Sequence, residues 1–211
     1  MGKTMGGPAR VYGKARLWYN EITAGDRPKQ GERLGERREM TMKLILSDRS
    51  FQLPAIGEPV KLVDLSKLNI AHCVGCFGCW VKTPGKCVIR DDAVAVYPLI
   101  AQSTQILYVS RVKYGGYDAP VKTMLERAIP VQQAFLRIWQ GETHHVQRRV
   151  APKEAVILGY GALSAEEKAV FSRLAARNAK NLCFEKYRVV FAAEDELEAV
   201  VRNEVLSWQI S

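Results

Sequence analysis

No run of apolar residues in this 211-residue chain approaches the length needed to cross a bilayer, and its first residues lack the apolar stretch of a signal peptide. The expectation is a cytoplasmic protein with no membrane partner. Internal repeats and low-complexity blocks are missing as well. The formal charge of +9 comes from 31 Lys and Arg against 22 Asp and Glu, without a dense basic cluster interleaved with aromatics. Nucleic acid is therefore not the expected partner, and the excess charge favours phosphorylated cofactors or acidic electron carriers. Two short motifs each lack a part. Gly2-Lys3-Thr4 has no upstream glycine loop to cradle phosphate, and Gly2 with Gly6 misses the Ser or Thr needed for myristoylation.

Residues 1–41 show no sustained helical or strand period and are rich in glycine and charge, so they read as a flexible basic extension. The remaining 42–211 is one ordinary domain. At that size it buries a core without support from metal or disulfide, so a ligand site within it is functional rather than structural.

Cysteine is where the chain becomes specific. Four of its five cysteines, Cys73, Cys76, Cys79 and Cys87, fall in one stretch with the spacing C-x2-C-x2-C-x7-C. Thiolates two residues apart meet one group only if the backbone turns tightly, and Gly75, Gly78, Pro84 and Gly85 supply the turning. Three close cysteines and a fourth downstream suit a [4Fe–4S] cluster, whose irons take one thiolate each. Zinc, which more often uses two separated C-x2-C pairs, is the second choice. Free thiols on a loop that keeps only its shape, or a redox-active pair, stay open. Cys183 precedes an apolar run and reads as core.

Short apolar runs at 42–47, 60–65, 105–110, 155–160 and 187–192 predict buried parallel strands. Helices are expected at 91–104, opened by Asp91 and Asp92 with Pro98 limiting its regularity, and at 119–129, capped by Asp118. Further helices are expected at 130–139, at 164–182 behind a Ser164/Glu167 capping box, and at 194–208. Residues 140–154 read as a polar loop, in which His144 and His145 are either solvated or near a cofactor as proton donors. The connection between the first two strands has two prolines and a glycine and is too short for a full crossover helix. Strands alternating with helices give a three-layer α/β domain with ligands at the carboxyl ends of its strands.

In this order of elements, the cysteine motif followed by Cys87-Val88-Ile89-Arg90-Asp91-Asp92, together with Ser110 to Arg127 (SRVKYGGYDAPVKTMLER), resembles the flavodoxin-like iron-sulfur flavoproteins. These lie within the wider NAD(P)H-dependent FMN reductase group. The resemblance runs from about Met42 to the C-terminus. It implies five parallel strands in order 2-1-3-4-5, FMN at the strand ends, and a homodimer or homotetramer. It also implies electron transfer between flavin, cluster and a partner such as NAD(P)H or a ferredoxin-like protein. Carried over by position, Cys73, Cys76, Cys79 and Cys87 ligate the cluster, and Ser110, Tyr114, Gly115 and Gly116 bracket the flavin ring. His72, beside a ligand cysteine, is placed to tune the cluster by a hydrogen bond.

The chain departs from that family after the first strand. It keeps Ser47, Arg49 and Ser50 of the phosphate loop but lacks the following helix, whose N-terminus would face the phosphate. Arg111 replaces a proline common in the family, and Glu126 stands where Asp often precedes the arginine. Side-chain charge from Arg49, Arg111 and Lys113 is the expected compensation. The alternatives are a cluster-free NAD(P)H-dependent FMN reductase and a metal- or cluster-stabilised binding module that has lost FMN.

Overall fold

The computed structural model describes residues 42–54 and 60–208. The proposed extension at 1–41 lies outside the described residues. Strand β1 (Met42–Ser47) is internal to the sheet: Leu44, Ile45 and Leu46 are fully buried, as an apolar run flanked by strands and covered on both faces must be. It pairs in parallel with β2 (Val60–Asp64) on one side and with β3 (Ser103–Lys113) on the other. Beyond β3 come β7 (Glu154–Tyr160) and β8 (Lys186–Ala192), both parallel. The order β2-β1-β3-β7-β8 is the expected doubly wound arrangement, with the chain reversing direction across the sheet between β1 and β3.

Helix α1 (Gly78–Val81) sits in the cysteine loop, and α2 (Ala93–Gln102) follows it, continuing past Pro98. Helix α3 (Ala119–Glu126) starts where expected, with Asp118 Oδ1 accepting from the Ala119 N–H at 2.8 Å. Helix α4 (Ala165–Asn181) has both halves of the expected capping box, and α5 (Leu197–Ser207) packs Leu197, Val201 and Val205 onto the sheet. Among the described residues of the first crossover, 48–54, there is no helix; 55–59 lie outside them. No helix among the described residues is long and apolar enough to cross a membrane.

Three expectations are corrected. The sheet gains an antiparallel strand, β4 (Gly116–Tyr117), because β3 runs on to Lys113 and turns back through Tyr114 and Gly115, both at positive φ. Residues expected as a helix at 130–139 instead form β5 (Gln132–Trp139), paired with β6 (Glu142–Gln147), which lies within the span 140–154 expected as a polar loop, in a separate two-stranded sheet. The cause is the turn. Gln140 and Gly141 both take positive φ, the geometry of a two-residue hairpin, and they override an apolar spacing that also suits a helix. Cys183 is half-buried at the left-handed residue that ends α4, bracketed by N–H bonds from Cys183 to Lys180 O and from Phe184 to Ala179 O, and not in the core.

Candidate functional site

The cysteine loop leaves β2 through a 3-10 turn at Leu65–Lys67, capped by Asp64, and returns at Asp91 and Asp92. These two carboxylates close its neck: Asp92 Oδ2 accepts from the Asn69 N–H at 2.8 Å, and Asp91 Oδ2 from the Ala71 N–H at 2.9 Å. Inside the neck the chain turns at Gly75, Phe77 and Gly85, all at positive φ. Gly78 has a different role. A Cβ there would meet Val88 Cγ1 at 2.8 Å and Cys76 Sγ at 3.4 Å, so only glycine lets the loop fold back on itself.

Cys76 is exposed, while Cys73, Cys79 and Cys87 are partly buried, and all four are free thiols. Burial first, then the nearby Cys87 and Cys73 thiols, push the Cys79 thiol above its ordinary value. Cys73, Cys76 and Cys87 thus each lie within electrostatic reach of Cys79. Among the described residues, no three His, Cys, Asp or Glu side chains converge on one ion position.

Beneath the loop lies Arg127, just past the end of α3 and only 1% exposed. Its Nη1 donates to Asp91 Oδ2 at 2.6 Å and to Ala71 O at 2.7 Å. Its Nη2 donates to Asp91 Oδ1 at 2.8 Å and approaches Cys87 Sγ at 3.4 Å. Burial alone would raise the Asp91 carboxyl, but the Arg127 bonds, followed by the Ala71 N–H, outweigh it and hold it below the ordinary carboxylate range. One turn earlier on α3, Thr123 Oγ1 lies 3.2 Å from His72 Nδ1. Two buried donors at the loop have no hydrogen-bond partner: Arg127 Nε and Trp80 Nε1. The Trp80 ring packs between Phe77 and His145, with centroids 5.6 and 4.6 Å away. His145 is therefore part of the loop's support rather than a solvated side chain. His144 is buried, with Nε2 3.4 Å from Glu142 Oε2 but without hydrogen-bond alignment.

The candidate flavin residues fall into two places. Ser47, Arg49, Ser50, Ser110 and Arg111 stand at the carboxyl ends of β1 and β3, where this sheet order forms its crevice. Here the polar groups are engaged with one another. Ser47 Oγ accepts from the Arg49 N–H at 3.1 Å, and Ser110 Oγ accepts from the Asp118 N–H at 3.0 Å. Ser50 Oγ donates to Asp64 Oδ2 at 2.5 Å. Both arginines pair with Glu194, Arg49 at 3.4 Å and Arg111 more closely, and both lie over the Tyr160 ring. Asp48 accepts from the Arg111 N–H at 2.6 Å and from the Tyr160 hydroxyl at 2.9 Å. Burial still leaves the Asp48 carboxyl above its ordinary value, and the Tyr160 phenol is pushed up to about 12, first by burial and then by Asp48.

Lys113, Tyr114, Gly115 and Gly116 form the β3–β4 turn and line a cleft of about 780 Å3, closed on its far side by Val170, Leu174 and Asn178 of α4. Lys113 is tied to Asp118 at 3.1 Å. Tyr114 is 97% exposed, a ring standing clear of the turn. Gly115, at φ +71°, would place a Cβ 2.6 Å from Val170 Cγ1, so the turn lies directly on α4. The cleft has the volume of a cofactor pocket and a partly aromatic rim.

Asp48, Tyr160, Glu194, Asp91, Arg127 and Trp80 are the residues that sequence reading did not assign. Asp91 and Arg127 were in view, the first as a helix opener and the second as the end of the ring-loop motif, but their pairing spans 36 residues. Glu194 follows β8, so only the closed sheet brings it to the arginines.

No family model matches the chain. The chain is 34% identical over 79 residues to an iron-sulfur flavoprotein of Archaeoglobus fulgidus, covering 37% of this chain and 35% of that protein. It is 26% identical over 99 residues to an iron-sulfur flavoprotein of Methanocaldococcus jannaschii, covering 47% of this chain and 50% of that protein. The chain thus spans between a third and a half of the length of these curated relatives. The crystal structure of an azoreductase aligns with a TM-score of 0.51 over 80% of this chain and 95% of that chain, at 11% identity. That agreement concerns the fold. The resemblance to iron-sulfur flavoproteins and the flavodoxin-like α/β architecture expected from the sequence are both borne out.

Proposed function

We propose that the chain is a flavin-dependent oxidoreductase of the iron-sulfur flavoprotein type, with Cys73, Cys76, Cys79 and Cys87 as ligands of a [4Fe–4S] cluster and FMN held at the strand ends. The cluster would supply single-electron transfer and the flavin a link to two-electron donors. One observation carries the reading. Four free thiols share a single loop at which two buried donors, Trp80 Nε1 within the loop and Arg127 Nε from the neighbouring helix end, have no hydrogen-bond partner. An apolar or empty loop has no use for orphaned N–H groups, whereas a sulfur-rich anionic group accepts them. A cluster also gives each iron its own thiolate, so its ligands need not converge on one point as those of a single zinc ion must.

For the flavin, the fit differs at its two ends. Gly115 and Gly116 keep the turn free of Cβ atoms, and Tyr114 offers an exposed face for a flat ring. At the strand ends, Arg49 and Arg111 supply positive charge, but Glu194 already shares it. Phosphate would bind by taking Glu194's place, with Ser47 and Ser50 nearby as lesser partners, while Lys113 stands at the β3–β4 turn, tied to Asp118. The donor or acceptor is proposed to be NAD(P)H or a ferredoxin-like protein, and the working state a cytoplasmic homodimer or homotetramer.

The test is purification without oxygen, followed by iron, zinc and flavin assays after incubation with FMN. About four irons per chain with bound FMN is the expected result. Iron without flavin would leave a cluster-binding module, and flavin without iron a simple reductase. Uptake of neither would overturn the proposal.

A further inference from the structure

Resting on the cluster reading above, we infer that Arg127 is the positioning residue of the cysteine loop, holding Cys87 in place and raising the reduction potential of the cluster bound there. Arg127 is the most deeply placed charge of the loop region, 1% exposed, and it belongs to a different element from the thiols. Its guanidinium binds the loop at both sides of the neck: Ala71 O before the first cysteine, Asp91 and Ile89 O after the last. Cys87 Sγ lies 3.4 Å from Nη2, and Nε remains buried without a partner. Asp91 balances the charge from one side and leaves the sulfur side facing the cation.

The chemistry follows from charge. Reducing the cluster by one electron adds one negative charge and needs no proton. A guanidinium within reach of a ligand sulfur stabilises that added charge, as hydrogen bonds to cluster sulfurs generally do. Lysine in its place keeps the charge but loses the fork that spans Asp91 and Cys87 together. Thr123, one turn earlier on α3, touches His72 at the other end of the loop. Helix α3 begins at Ala119, directly after β4 and the Asp118 cap, so the segment from the proposed flavin turn through α3 leads to the cysteine loop.

The experiment compares the wild-type chain, Arg127→Lys, Asp91→Asn and the double variant Arg127→Met with Asp91→Asn, each reconstituted with iron and sulfide. The double variant removes both buried charges together, so it folds where a lone Arg127→Met could fail. The readout is the midpoint potential by dithionite titration followed by electron paramagnetic resonance. Because the double variant also removes the Asp91 anion, its reference is Asp91→Asn alone, against which the ratio of reduced to oxidised cluster at a set potential is expected to fall at least about tenfold, a shift of roughly 59 mV for one electron. Arg127→Lys should fall less. A double variant that holds the same iron at the potential of Asp91→Asn would overturn the inference, since a merely structural clamp alters iron retention and leaves the potential alone. A wild-type chain that takes up no iron would instead defeat the cluster reading and with it the effect on potential. The holding role is then decided in the metal-free protein by amide hydrogen exchange over residues 71–91. Faster exchange in Arg127→Lys supports it, and equal exchange overturns it.

Discussion

The cysteine loop and the strand-end crevice both set arginines against carboxylates, yet they do so under opposite conditions. At the loop, Arg127 and Asp91 meet with side chains 1% and 10% exposed and leave one guanidinium N–H unused. At the crevice, Arg49 and Arg111 meet Glu194 with side chains 43%, 35% and 50% exposed. A buried pair is costly to break, because either partner alone is an uncompensated charge. An exposed pair is worth little and exchanges readily for another anion. The loop is therefore a built frame with an open donor, while the crevice is a provisional arrangement that a ligand can rearrange.

The largest effect should come from the thiols. Replacing Cys79, the thiol whose titration already responds to the other three, with serine should abolish cluster retention, with iron falling from about four per chain to near none. Iron assay after anaerobic reconstitution checks it. Cys183→Ser is the control, since that cysteine ends α4 away from the loop, and its iron content should match the wild type. Equal loss in both variants would mean that the loop is not the cluster site.

Next is the frame itself. Asp91→Ala leaves Arg127 buried and unpaired and frees the Ala71 N–H, so the metal-free domain should lose about 3–5 kcal/mol in urea denaturation. The sign with pH follows from the Asp91 carboxyl lying below its ordinary value. A depressed folded value means the contribution is complete above about pH 4 and disappears as pH falls through the folded value. Asp91→Asn should consequently flatten the acid limb of the stability profile. An unchanged limb would show that another carboxylate governs acid unfolding.

Much of this molecule is legible in its residues, for reasons that are themselves local. Apolar runs mark all five parallel strands, and the Asp118 and Ser164/Glu167 caps mark helix starts, because each signal acts within a few residues. The cysteine spacing and its glycines sit in one loop and need no fold to be noticed. The β5–β6 hairpin was hidden because Phe135, Leu136, Ile138 and Trp139 carry helical spacing while the turn is Gln140-Gly141, a weak sequence signal. Three of the four apolar side chains, Phe135, Leu136 and Ile138, stay 60–74% exposed, so burial does not drive the choice. The Arg127–Asp91 frame and the Glu194 bridge were hidden for a different reason. Their partners are brought together by the sheet, across separations of 36 and 83 residues for the Arg127–Asp91 and Arg111–Glu194 bonds.

A smaller effect tests the cleft beside the β3–β4 turn. Gly115→Val combines a left-handed backbone with a Cβ placed against Val170, and should cost about 1–3 kcal/mol by thermal denaturation. Adding Val170→Ala removes the Cγ1 contact but keeps the Val170 Cβ, which lies 2.7 Å from the added Cβ, so it should recover only part of the loss and leave that contact together with the backbone share. Full recovery would mean that the positive φ carries no strain, and the glycine would then be explained by packing alone.

The smallest change in stability should have the clearest consequence for ligand choice. Glu194→Gln removes an exposed carboxylate held low by the Arg111 bond, so the melting temperature should hardly move. The two arginines over Tyr160 then lack their anion. If the phosphate takes that carboxylate's place as proposed, FMN should bind up to about fivefold more tightly, whereas riboflavin, which has the same ring without phosphate, should bind as before. Flavin fluorescence titration of both ligands separates the effects. A parallel gain for riboflavin would place Glu194 against the ring rather than the phosphate, and no gain for either would remove the crevice arginines from flavin binding. The opposing result at the loop, where loss of Asp91 harms rather than helps, is what burial requires: the same pair of residue types is a brace in one place and a latch in the other.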